Sequence, residues 1–384
     1  MTTFWTNSDI FENFEPDLVV KSPGRINLIG EHTDYHQGWV FPGAIQLSIN
    51  LAFQKNPFSN QIRIYSASQK EQKVLSLDNY FDENSWVSYL SGVLEACRQK
   101  NLYLNGMDII IDGDLPVGAG LSSSSALTCG FLIGLDALFN WNISKEEMIR
   151  MASSAEYQLG LQGGFMDQTA ILYGKKDHFI LLDNQTEEKI FIAANLDNHE
   201  LILFDTKVSH ELVASNYNQR RMESESVPSL LSNIYPGVLS LRDVTMEMLE
   251  NNKTILPAIP FQRAAFVVEE NRRVLMAVAA LQNKDFELLG ALMYDSHKGL
   301  RNKYEVSCPE LDFLVDATQN LKEVKGARMM GGGFGGCTIN LVEKSSCEKV
   351  IEKVSNAYSK ATKIEPGVYK VQLSDAAKVT WLKR

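Results

Sequence analysis

The sequence predicts a two-domain protein of mixed α/β and α+β class, on three observations. Short β-branched runs with turn residues near their ends read as strands. Longer segments with apolar residues at three- and four-residue spacing read as helices. The two kinds are interleaved along the chain rather than segregated, and 384 residues exceed what one hydrophobic core usually fills.

The expected strands are Ile109–Ile111, Phe179–Leu182, Leu201–Phe204, Thr338–Val342 and Val368–Leu373. The expected helices are Leu127–Phe139, Phe261–Leu281, Phe286–His297 and Glu348–Tyr358. Charged and amide residues interrupt the strands between 184 and 198, which places a domain boundary there and divides the chain into residues 1–190 and 191–384.

Composition narrows the function classes. The apolar fraction of 45% and charged fraction of 22% are those of an ordinary globular protein. A net charge of −10 disfavours nonspecific binding to nucleic acid or to an anionic membrane. Cys97, Cys129, Cys308, Cys337 and Cys347 are scattered and odd in number, which argues against disulfides or a zinc site and suits a reducing compartment. The polar, acidic N-terminus carries no secretory signal pattern, and the apolar stretch Leu127–Phe139 is too short to span a bilayer. A cytoplasmic, monomeric protein is expected.

The first chemical signal is the segment Asp114–Leu127, in which a strand runs through Gly118-Ala119-Gly120-Leu121 into Ser122-Ser123-Ser124-Ser125 and then an apolar helix. Serines suit helix starts, and a helix N-terminus offers free amides and partial positive charge to an anion. Gly118 and Gly120 let the backbone approach a phosphate closely. A serine-capped junction without a ligand is an equally good account of this segment alone. The Gly-Lys-Ser/Thr ending of a Walker loop is absent.

Gly331-Gly332-Gly333-Phe334-Gly335-Gly336 matches the dinucleotide pattern G-x-G-x-x-G, but a strand rather than a helix follows it, so that assignment fails. Five glycines in six residues are more than a hairpin needs, and close packing against another loop or a ligand is expected. Near the N-terminus, Arg25, Glu31, His32 and Asp34 crowd a short segment. Carboxylates and imidazole hydrogen-bond sugar hydroxyls, and a guanidinium offers fixed charge to a transferring phosphoryl group. Taken alone, this cluster reads better as a solvated loop with Arg25 in an ordinary surface ion pair.

Together these segments resemble the three motifs of the GHMP kinases. GRINLIGEHTDY is similar to the signature of the galactokinase branch, LPVGAGLSSSSAL to the ATP loop and GARMMGGGFGGCTINLV to the third motif. Ala155-Glu156-Tyr157 with Gly164-Phe165-Met166-Asp167-Gln168 resembles the segment carrying the catalytic aspartate. Lys207–His210 with Ser215–Arg221 resembles the sugar-contacting stretch. The resemblance covers most of the chain, with its motifs in order.

It implies an N-terminal α/β domain, a C-terminal ferredoxin-like α+β domain and an active site in the cleft between them. The implied reaction is transfer of the γ-phosphoryl group of ATP to the anomeric hydroxyl of galactose. The implied catalytic residues are Asp167 and Arg25, with Arg25 favouring the ionised form of Asp167. The implied sugar set is Glu31, His32, Thr33, Asp34, Gly164, Asp167 and Tyr217. Gly118, Ala119, Gly120, Leu121, Ser122, Ser123 and Ser124 would hold the ATP phosphates, and Ser124 and Glu156 the Mg2+ ion. Three departures stand out, the first being that the stretch from Glu156 to Asp167 is one residue shorter than usual. Gly163-Gly164-Phe165-Met166-Asp167 replaces the usual Cys-Gly-Ile-Met-Asp, and Ser125 stands where alanine is common. The rivals are a kinase for N-acetylgalactosamine or arabinose and a galactose- and ATP-binding sensor without catalysis.

Overall fold

The first half of the chain forms β1 (Leu18–Asn27), β2 (Trp39–Val40), β3 (Pro42–Lys55), β4 (Gln61–Ser66), β5 (Glu71–Ser76), α1 (Ser88–Gln99), β6 (Met107–Gly113), α2 (Ser123–Phe139), α3 (Lys145–Tyr157), α4 (Met166–Tyr173), β7 (His178–Asp183) and β8 (Glu188–Ala193). The second half adds β9 (His199–Ser209), α5 (Val213–Leu231), α6 (Met246–Asn251), α7 (Ala258–Gln282), α8 (Phe286–Gly299), α9 (Pro309–Gln319), β10 (Val324–Met329), β11 (Gly335–Glu343), α10 (Cys347–Thr362), β12 (Gly367–Val371) and β13 (Lys378–Trp381). The computed structural model describes residues 11, 13–56, 59–79, 86–160, 163–209 and 213–383. Most of the N-terminal stretch searched for a signal, and His210 of the sugar-contacting stretch, lie outside these residues.

A large sheet runs in the order β13-β1-β3-β6-β4-β5, and its pairs are antiparallel except β4 with β6. Helix α2 lies on β1 and β3. Its side chains are apolar nearly all round, as suits a helix covered on every side. Gly130 permits that contact, since a Cβ there would come within 2.8 Å of both Leu51 and Ser22.

The second sheet runs β10-β11-β9-β12, all antiparallel. Numbered within its own half, this is the order 2-3-1-4 with helices between, the ferredoxin-like arrangement. Helix α10 buries Cys347, Val350, Val354 and Tyr358, a helical stripe that packs with Ile202, Phe204 and Val342 of the sheet. A small sheet, β2-β7-β8, flanks the first.

The expected strands and helices fall within these elements, with two adjustments. Strand β12 ends at Val371, and Leu373 makes an isolated bridge to Ile45. The chain also returns after β12 to place β13 against β1, so its last strand completes the sheet begun by its first. Among the described residues no helix is long and apolar enough to cross a membrane. All five cysteines are free thiols and buried.

Candidate active site

Arg25 is aimed by an irregularity in β1. The register of β1 against β3 shifts between Pro23 and Arg25, and bulges of this kind re-aim a side chain. The Arg25 amide donates to Leu121 O at 3.2 Å, and its Nη1 donates to Gly120 O at 2.6 Å. Its Nε and Nη2 form a fork onto Asp167, at 2.7 Å to Oδ1 and 3.2 Å to Oδ2. Burial opposes the Arg25 charge, but Asp167, Glu31 and Asp34 outweigh it and hold its pKa above the ordinary value. Asp167 stands in the first turn of α4, where a carboxylate is favoured by the helix dipole.

The serine-rich turn differs from the capped junction that would need no ligand. Ser122 precedes α2 with φ of 57° and makes no side-chain cap. Its hydroxyl donates instead to Asp167 Oδ2 at 2.5 Å. The first-turn amides of α2 therefore lack a side-chain acceptor, and such amides suit an anion. Gly118 and Gly120 take φ of 78° and 74°, conformations that a side chain would strain.

The third motif packs directly against this turn. It forms the β10–β11 connection, and a Cβ added at Gly336 would come 3.5 Å from the Ala119 carbonyl. At Gly120 an added Cβ would come 3.4 Å from Met330 O. Glycine thus keeps two backbones in contact, which explains the excess over an ordinary hairpin. Between the loops lies a cavity of about 570 Å3 lined by Arg25, Gly118, Ser122, Ser123, Ser124 and Gly331 through Gly336. Trp86, Tyr89, Leu115, Val117 and Leu127 add apolar walls. A larger hollow of about 880 Å3 elsewhere, around His199, Lys284, Phe286 and Lys325, contains none of the motif residues. Its lysines are paired with carboxylates, Lys284 with Asp197 and Lys325 with Glu287.

The signature segment folds next to Asp167. Asp34 Oδ2 accepts from Gly164 N at 3.1 Å, and Oδ1 accepts from Tyr35 N at 3.0 Å. Burial, aided by the charge of Asp167, pushes the Asp34 pKa up to about 6. His32 packs on Tyr217 and Tyr304 with ring centroids 5.3 and 4.8 Å away, and burial lowers its pKa to about 3, which keeps it neutral. Glu31 Oε1 accepts from Arg328 Nη2 at 3.0 Å and from Gly331 N at 2.9 Å, which ties the first motif to the third. Oε2 is left as the oxygen for a ligand.

Thr33, expected among the sugar residues, is fully buried, and its hydroxyl faces Gly30 O and Trp39 O at 3.0 and 2.7 Å. It holds the turn of the signature rather than facing the cavity.

Glu156 sits behind Asp167. Ser125 Oγ donates to its Oε1 at 2.7 Å and Gln168 Nε2 to its Oε2 at 3.0 Å. Ser125, the residue that departs from the usual alanine, is therefore integrated into the site. Burial raises the Glu156 pKa to about 7, the hydrogen bonds from Ser125 and Gln168 notwithstanding. The unfolded carboxyl ionises near 4.5, so folded-state stability is lost as pH rises from there through 7. The loss is of order 3 kcal/mol above that window. Glu156→Gln is accordingly expected to raise the ligand-free melting temperature at pH 8 while changing it little at pH 4.5. Gln168 can turn its otherwise unpartnered Oε1 toward the new amide. A variant no more stable than wild type at pH 8 would contradict the buried-carboxylate account.

Sequence reasoning missed several members of this assembly. Arg328, fully buried, donates to Leu28 O at 2.8 Å and to Asn27 O at 2.5 Å, so it clamps the end of β1 to β10. Glu270, on α7, accepts from Gly30 N at 3.0 Å. Arg328 lies within the third motif, but no local pattern names its partners or marks Glu270, because each acts on residues more than 200 positions away.

Comparison with known proteins agrees with this geometry. The galactokinase galactose-binding signature matches residues 8–55, the GHMP kinases N terminal domain residues 88–175, and the GHMP kinases C terminal model residues 277–360. A galactokinase of Thermotoga neapolitana is 40% identical over 359 residues, covering 93% of this chain and 99% of its own. A galactokinase of Roseiflexus sp. is 39% identical, covering 94% of this chain and 92% of its own. The structure of Lactococcus lactis galactokinase complexed with galactose superposes with a TM-score of 0.89 at 28% identity, covering 94% of each chain. A mevalonate kinase shares the fold, with a TM-score of 0.67 at 18% identity. The N-terminal signature, the ATP loop and the C-terminal glycine turn thus occur in one chain with near full-length relatives, and the chain belongs to the galactokinase family of GHMP kinases.

Proposed function

We infer that the protein transfers the γ-phosphoryl group of ATP to the anomeric hydroxyl of α-D-galactose, giving galactose 1-phosphate and ADP. The observation that carries this is the fork from Arg25 to Asp167 at the edge of a cavity walled by two glycine-rich loops. Phosphoryl transfer needs positioning and charge neutralisation more than covalent chemistry.

The nucleotide phosphates occupy the turn from Gly118 to Ser124, against the free amides of α2. The apolar walls from Trp86, Tyr89 and Leu127 take the base. The sugar lies over Asp34, Glu31, His32, Gly164 and Tyr217. Asp167 Oδ1 has a single donor from the protein and keeps a lone pair for the sugar hydroxyl, whereas Oδ2 has two donors. The hydroxyl proton passes to Asp167 as the anomeric oxygen bonds to the γ-phosphorus. The bond from that phosphorus to the β,γ-bridging oxygen breaks, and ADP leaves with the electron pair. Arg25 stabilises the charge spread over the transferring group.

The residues fit a magnesium ion. Among the described residues the Ser124 hydroxyl forms no side-chain hydrogen bond and lines the cavity. Glu156, hydrogen-bonded by Ser125, the next residue along α2, is a buried carboxyl whose charge a cation would relieve. A bound magnesium ion neutralises phosphate charge. In this assignment Ser124 and Glu156 each offer it one oxygen. The proposed halves of the cleft are residues 1–190 and 191–384; that boundary falls inside β8, which stays paired with β7, and β13 crosses back to the first half.

A substrate panel with ATP and magnesium tests this function. Galactose is expected to give a kcat/KM at least tenfold above 2-acetamido-2-deoxygalactose and arabinose, with phosphate on the anomeric oxygen by 31P NMR. Equal or lower kcat/KM for galactose, or ligand binding without ADP formation, would overturn it.

A further inference from the structure

Behind the proposed sugar pocket runs a buried chain of polar groups from three parts of the sequence. His32 Nδ1 lies 2.7 Å from Tyr35 Oη, and Tyr35 Oη lies 2.9 Å from Tyr304 Oη. Tyr304 Oη lies 3.0 Å from Ser224 Oγ, and Ser224 Oγ lies 2.8 Å from His36 Nε2. Ser224 and Tyr304 are fully buried, and His32 and His36 are nearly so. Tyr304 ends a π-helical turn, Leu300–Tyr304, and such turns are rare and frequent at functional sites.

Each hydroxyl in this chain has one proton, so the protons can be counted. Ser224 Oγ lies 2.9 Å from Arg220 O and 2.9 Å from Arg221 O, and carbonyls only accept. A serine within a helix habitually donates back to such carbonyls. With its proton spent there, Ser224 accepts from Tyr304 and from His36 Nε2–H. Tyr304, donating toward Ser224, must accept from Tyr35. Tyr35, donating to Tyr304, must accept from His32, so the His32 proton sits on Nδ1. The remaining nitrogen, Nε2, is buried and has no hydrogen-bond partner. The Gly332 carbonyl is close enough to favour a protonated ring, but not in hydrogen-bonding geometry. The opposite polarity would take the Ser224 proton from both carbonyls.

We propose that this relay fixes His32 as its Nδ1–H tautomer and makes Tyr304 and Ser224 positioning residues for the sugar pocket, which then presents an acceptor to a ligand hydroxyl. Ser224 and Tyr217 stand seven positions apart on α5, two turns along one face, so the same contacts hold the Tyr217 ring against His32. The link to the sugar rests on the function proposed above, whereas the tautomer is a property of the ligand-free chain.

The test is two-bond 1H–15N correlation NMR of the 15N-histidine-labelled protein, with His32 assigned through His32→Gln. The proposal expects a protonated-type nitrogen at Nδ1 and an unprotonated type at Nε2. In Tyr304→Phe, and independently in Ser224→Ala, the His32 pattern should change toward mixed tautomers. The galactose KM should rise roughly fivefold, the effect of one hydrogen bond, with the ATP KM unchanged. A wild-type Nε2–H tautomer, or two folded variants that keep both the wild-type spectrum and the galactose KM, would overturn it. Failure of the function itself would show differently, as absent galactose turnover with the tautomer intact.

Discussion

Asp167→Ala is expected to lower kcat for galactose phosphorylation by roughly a thousandfold, within the range set by loss of a positioned general base. The side chain removed is the one on which Arg25 and Ser122 both converge. In the proposed arrangement its Oδ1, with a single protein donor, accepts from the sugar hydroxyl. The galactose KM should change less than kcat, because Asp34, Gly164 and Glu31 remain to hold the sugar. Steady-state kinetics with a coupled ADP assay measures both constants, and a variant retaining wild-type kcat would remove Asp167 from the chemistry. The substitution is not a test of folding alone: Asp167 is about a quarter exposed, and its loss leaves the stem of Arg25 packed and Nη1 still bonded to Gly120 O.

Arg25→Ala is expected to cost ~3–4 kcal/mol of transition-state stabilisation, comparable to loss of an oxyanion donor, or a few hundredfold in kcat. Arg25 is the cation that faces the cluster of Asp167, Glu31 and Asp34. Removing it leaves Asp167 and Asp34 without that cation, while Glu31 keeps Arg328, so the Asp34 pKa should climb further above about 6. As pH falls, sugar binding in the variant should therefore weaken at a higher pH than in wild type, because more of Asp34 is then protonated and cannot accept from the sugar. Arg25→Lys should recover only part of the activity, because an ammonium cannot form the fork to both Asp167 oxygens while also reaching Gly120 O. A fully active Arg25→Lys enzyme would mean that charge alone suffices. Calorimetric melting separates these effects from unfolding.

Local pattern made the skeleton of this site legible. Gly118 and Gly120 mark a turn that needs positive φ, and the serines mark the helix start that follows it. The glycine cluster at Gly331 is expected against another loop or a ligand because five glycines in six residues exceed a hairpin's need, and it packs on the serine-rich turn. What pattern could not show is which partner each polar group takes. Ser122 reads as a helix cap, yet its hydroxyl serves Asp167, 45 positions away. Thr33 reads as a sugar contact, yet it closes its own turn. Ser125 reads only as a departure from the common alanine, yet it holds the Glu156 carboxylate. The buried clamps, Arg328 and Glu270, carry no spacing signal, because a contact between β1 and β10 or α7 depends on the assembled sheets rather than on neighbours in sequence.

The central claim is that Arg25 and Asp167 act as one unit on the transferring phosphoryl group. Single-turnover formation of galactose 1-phosphate by Arg25→Ala, Asp167→Ala and the double variant tests it most directly. Residues that act together are strongly non-additive, so the double variant should lose no more than about tenfold beyond the worse single variant. Losses that multiply in full, as for independent sites, would contradict it.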